Sequence, residues 1–79
     1  MSLRKDGSWL RVQRLMEIAK EIAKHFNDGG KCNFETLMLW VEFKIGLTET
    51  RARDYIITVV RAKQWEIQDG FILPGEMEK

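Results

Sequence analysis

The sequence predicts a mainly α domain in which three helices are closed by a short β-hairpin. Apolar residues recur every three or four positions over three stretches, and only Ile45-Gly46-Leu47-Thr48 separates the second from the third. The run from Trp65 to Leu73 then breaks at Asp69-Gly70, a hairpin signal. With 79 residues the chain makes one domain, near the size at which a single core only just offsets chain entropy. Trp9, Trp40 and Trp65 supply large side chains, and all three fall on expected core faces.

Helix one is expected over residues 8–26, capped by Asp6 or Ser8. Its apolar stripe steps through Trp9, Val12, Met16, Ala19, Ala23 and Phe26, and Leu15, Ile18 and Ile22 widen it. Arg11, Arg14, Glu17, Lys20, Glu21 and Lys24 form the solvated face. Asn27-Asp28-Gly29-Gly30 ends the helix, because paired glycines accept left-handed backbone angles. Lys31 and Cys32 then read as a short extended segment.

Asn33 caps helix two, expected over 34–44, with Phe34, Leu37, Met38, Val41 and Ile45 on one face. Leu39, Trp40 and Phe43 make it apolar almost all round, which points to a central position or to an association surface, with central packing the expected one. Gly46 suits a left-handed helix end, Leu47 folds back to the core, and Thr48 caps helix three. That helix is expected over 49–63, with Ala52, Tyr55, Ile56, Val59 and Val60 inward. The β-branched run from Ile56 to Val60 favours a strand locally, but the cap and the periodicity agree on a helix.

The hairpin spans residues 65–73, and two registers compete. A two-residue Asp69-Gly70 turn pairs Gln68 with Phe71 and splits the large side chains between both faces. A three-residue Gln68-Asp69-Gly70 turn pairs Ile67 with Phe71 and gathers Trp65, Ile67, Phe71 and Leu73 on one face, so it is the expected register. Pro74 ends the ladder, and residues 74–79 are expected to fray.

Thirteen basic and twelve acidic residues leave a net charge of +1, so there is no strong overall positive field. Arg4, Lys5, Arg11 and Arg14 make the amino-terminal end basic, while Glu76 and Glu78 make the tail acidic. A lone Cys32 forms no internal disulfide and points to a reducing, cytoplasmic setting. No apolar run approaches the roughly 18 residues of a bilayer span, so no membrane partner is expected. His25 and Cys32 are too few for a metal site; His25 is expected to meet the carboxyl end of helix one, and Cys32 to act as a small hydrophobe. Without a glycine-rich phosphate loop, paired carboxylates or a hydrolase triad, neither an enzyme nor a cofactor is expected.

From Asn33 onward the chain resembles a winged helix-turn-helix domain of small prokaryotic, archaeal or viral regulators. The resemblance rests on Ile45-Gly46-Leu47-Thr48-Glu49-Thr50-Arg51-Ala52-Arg53-Asp54-Tyr55-Ile56 and Trp65-Glu66-Ile67-Gln68-Asp69-Gly70-Phe71-Ile72-Leu73, and helix one completes the three-helix unit. It implies a cytoplasmic transcription regulator that binds double-stranded DNA as a homodimer, with helix three in the major groove. Thr48, Thr50, Arg53, Asp54 and Thr58 would then lie nearest the bases, with Arg53 suited to guanine, and Arg51, Arg61 and Lys63 would neutralise phosphates. Two positions depart from the pattern: Glu42 stands where a small residue is usual, and residues 65–73 contain no basic side chain. The alternative is a winged-helix module that binds protein and not DNA, which suits the near-neutral charge and the surplus apolar residues Leu39, Ile57 and Ile72.

Overall fold

The computed structural model describes residues 5–75. In chain order the elements are α1 (Lys5–Gly29), β1 (Cys32–Asn33), α2 (Phe34–Trp40, extended by a π-helical turn over Val41–Ile45), α3 (Glu49–Lys63), β2 (Glu66–Gln68) and β3 (Phe71–Leu73). The fold is mainly α, three helices with a hairpin after the third. Antiparallel pairing in the order β1-β3-β2 makes a small three-stranded sheet. Among the described residues no helix is long and apolar enough to cross a membrane.

Helix boundaries follow the capping chemistry. The Asn33 side chain accepts a hydrogen bond from the Thr36 N–H at 2.9 Å and starts α2. Gly46 takes the left-handed conformation at φ 83° and its N–H donates to the Glu42 carbonyl, closing the π turn. Thr48 then accepts from the Arg51 N–H through its hydroxyl and starts α3 at Glu49, where the sequence puts it. By contrast α1 already contains Asp6 and Ser8, so neither residue caps it.

The core face of α3 matches expectation, with Ala52, Tyr55, Ile56, Val59 and Val60 all buried. Helix α1 turns only one side of its expected stripe inward. Ile18 and Ile22, which widen that stripe, are fully buried, and Leu15, Ala19 and Phe26 pack beside them, whereas Trp9 is 58% exposed and Met16 is 60% exposed. Both sides keep helical spacing, and Val12 lies only about 60° around the axis from Leu15 and about 80° from Ile22, so periodicity alone could not choose between them. The larger side chains drew the expectation, and the β-branched pair fills the space against α3.

Helix α2 is not central either. Leu37, Met38 and Val41 are buried, but Leu39 is 67% exposed and Phe43 is 90% exposed. The helix therefore covers the core with one face and leaves an apolar face to solvent. Of the three tryptophans only Trp65 is buried; its ring meets Phe26 edge-on at a centroid distance of 5.0 Å.

The hairpin adopts the two-residue register. Gln68 pairs with Phe71, Ile67 with Ile72 and Glu66 with Leu73, across a turn in which Asp69 and Gly70 both have positive φ. Strand β1 decides the outcome: Cys32 pairs with Ile72, so β3 is the central strand and Ile72 is the residue aimed at the helices, fully buried. Phe71 and Leu73 take the other face, where Lys31 Nζ sits 4.2 Å from the Phe71 ring centroid. Trp65 needs no strand to reach the core. Gln64 ends α3 in a left-handed conformation, and the Trp65 N–H donates back to the Val60 carbonyl at 2.9 Å. Residues 76–79 of the expected fraying tail lie outside the described residues.

Two substitutions check this geometry. Asp69→Val should destabilise the domain by about 1 kcal/mol or more in chemical denaturation, because a β-branched residue resists positive φ, while Asp69→Gly should cost nothing. Equal stability of the two variants would contradict the two-residue turn. Gly75 is buried where a Cβ would collide with the Gln64 carbonyl oxygen, so Gly75→Ala should lower the melting temperature measurably in a thermal scan.

Candidate nucleic-acid interface

The Gly46-Leu47-Thr48 turn sets the axis of α3, and burial of Ala52, Ile56 and Val59 sets its rotation. Helical periodicity then directs the expected site residues three ways. Thr50, Asp54 and Arg61 point outward together, with the half-buried Ile57 between them. Arg51 and Thr58 lean toward α1; Arg53 leans toward α2. Thr48 is engaged in the cap, and the Thr58 hydroxyl donates to the Asp54 carbonyl at 2.8 Å. Lys63 lies at the far end, beside an apolar groove between α1 and α3.

The two flanks of α3 differ in charge. Toward α1, Arg11, Arg14 and Arg51 line one crease with Leu10, Tyr55 and, as the single acid among the described residues, Asp54. Arg11 stacks its guanidinium over Tyr55, 5.5 Å from the ring centroid, which holds the side chain in place without neutralising it. Toward α2, Arg53 shares a hollow with Glu35, Glu42 and Glu49, and its guanidinium lies 3.8 Å from the Glu49 carboxylate. That pair is exposed and contributes little to stability, but it puts Arg53 in a locally negative field.

Arg11 and Arg14 are the residues that the sequence reading left on the solvated face of α1. The signal was present: with Leu15, Ile18 and Ile22 as the buried stripe, Arg11 lies one turn ahead of Leu15 on that stripe and Arg14 at its edge. The hairpin brings no cation to its turn, where Asp69 is exposed.

His25 does not meet the helix end as expected. The helix runs on to Gly29, past the expected end at residue 26, and the His25 Nε2 sits 3.2 Å from a Glu21 carboxylate oxygen one turn earlier. Cys32 is fully buried, and its thiol is pushed up from the ordinary 9.0 to about 11, first by burial and second by the Glu21 charge. Among the described residues no group of three metal-ligating side chains comes together. Comparisons of the chain with protein-family models, curated proteins and solved structures give no match.

The Cys32 thiol couples stability to alkaline pH. Its folded pKa lies above its unfolded value, so the unfolded chain loses the proton first and stability should fall as pH rises from about 9 to about 11. Thermal scans across that window should show a decline that Cys32→Ala largely removes; a parallel decline in the variant would assign it elsewhere. A thiol reagent at pH 8 should modify Cys32 only at the rate of unfolding.

Proposed function

We propose that this domain is a double-stranded DNA-binding protein of winged helix-turn-helix type, a transcription regulator that lays α3 in the major groove. The observation that carries the reading is the convergence of Arg11, Arg14 and Arg51 beside the amino-terminal half of α3. Among the described residues three guanidiniums against one carboxylate suit a phosphate strand, and they supply the local positive field that a net charge of +1 conceals. With that strand seated in the crease, the outward face of α3 meets base edges. Thr50 and Arg61 can donate to acceptors there, Asp54 can accept from a cytosine amino group, and Ile57 can contact a thymine methyl. Arg53, held beside Glu49, contributes less than its sequence position suggests. Paired half-sites would fit a homodimer, and the chemistry requires no cofactor.

The second reading, a winged-helix module that binds protein instead of DNA, draws support from Leu39 and Phe43, an exposed apolar pair one turn apart on α2. The two readings separate in a titration of mixed-sequence duplexes at several salt concentrations. Under the DNA reading, affinity falls steeply with salt, and Arg11→Ala, Arg14→Ala and Arg51→Ala each flatten the log–log slope by roughly 1. Absence of duplex binding tighter than about 100 μM at low salt would favour the protein-binding module.

A further inference from the structure

The rotation of α1 that buries Ile18 and Ile22 leaves a groove of about 430 Å³ between α1 and α3. Leu15, Ala19, Val59 and Trp65 are the buried and half-buried residues at its base, and the exposed Val12, Met16, Ala23 and Ala62 line its sides. From Val12 to Ala23 the groove follows three turns of α1, about 16 Å at 1.5 Å per residue. It is open along its length, and the small side chains of Ala19, Ala23 and Ala62 let another backbone approach closely. A helix fits such a trough in the way a third helix fits between two in a bundle.

Among the described residues the charged groups around the trough are both cations: Lys20 and Lys63 stand on opposite rims, one from each helix, and no carboxylate lines the groove. Trp65 also lines it, and its indole N–H is buried with no acceptor among the described residues. Thr58 turns its hydroxyl proton back to Asp54.

We propose that this groove docks an amphipathic helix of a partner protein, one that presents an apolar ridge flanked by carboxylates. The ridge replaces solvent over Val12, Met16 and the three alanines, and the carboxylates meet Lys20 and Lys63. This face is separate from the arginine crease, so the inference stands whether or not α3 binds DNA.

The test uses the full chain and two synthetic helical peptides with the same leucine ridge, one flanked by glutamates and the other by lysines, titrated by calorimetry at low salt. The glutamate peptide should bind saturably and at least about tenfold more tightly than the lysine peptide. Combining Lys20→Glu with Lys63→Glu should reverse that order, and because both side chains are exposed the fold is retained. Ala62→Phe should obstruct the groove and abolish binding of both peptides. Equal affinity for the two peptides, or no saturation by the glutamate peptide at millimolar concentration, overturns the proposal. So does saturable binding of laurate where the glutamate peptide fails. Sedimentation showing a dimer that Ala62→Phe dissociates also overturns it, because the occupant is then a second copy of this chain.

Discussion

Burial of Ile18 and Ile22 against the Ala52-Ile56-Val59 face of α3 is the constraint on which the remaining structure depends. Choosing that face of α1 fixes the rotation of the longest helix about its axis. Arg11 and Arg14 are thereby carried toward Arg51, and Trp9, Val12 and Met16 are left in solvent. A rotation of about 60° to 80° the other way would bury the tryptophan stripe, dissolve the arginine crease and close the groove. One packing choice therefore determines both surfaces that carry a functional reading.

The second organising contact is the strand made by Cys32 and Asn33. It is only two residues long, yet it makes β3 the middle strand and selects Ile72 as the residue that joins sheet to helices. The same short segment buries the Cys32 thiol and positions the Asn33 cap of α2. Sheet register, the start of α2 and an alkaline-sensitive thiol thus share one local origin.

Much of the fold was legible because it is written in local chemistry. Asn33, Gly46 and Thr48 announce caps and a turn whose hydrogen bonds involve residues within four positions, and α3 runs over the span they predict. What was not legible depended on partners distant in sequence. The choice between two equally periodic stripes on α1 needed the shape of α3. The hairpin register needed β1, which a two-stranded comparison of apolar faces left out. Glu49, one turn before Arg53 on α3, was legible in the sequence, but Glu35 and Glu42 come beside Arg53 only through the packing of α2 on α3. Arg11 and Arg14 stayed hidden for the same reason that Ile18 and Ile22 were underrated.

The resulting surface is divided, with a basic crease on the α1 flank of α3, an acidic hollow on the α2 flank, and an apolar groove farther along α1. A near-zero net charge is what such a division produces, and it is compatible with a local field strong enough to seat one phosphate strand. The most direct test of that division is an amide chemical-shift map recorded while a short duplex is added. The account predicts that shifts concentrate at Arg11, Arg14, Thr50, Arg51, Asp54 and Arg61 and spare Ala23, Leu39 and Phe43. Shifts confined to Leu39 and Phe43, or none at all at saturating duplex, would contradict it.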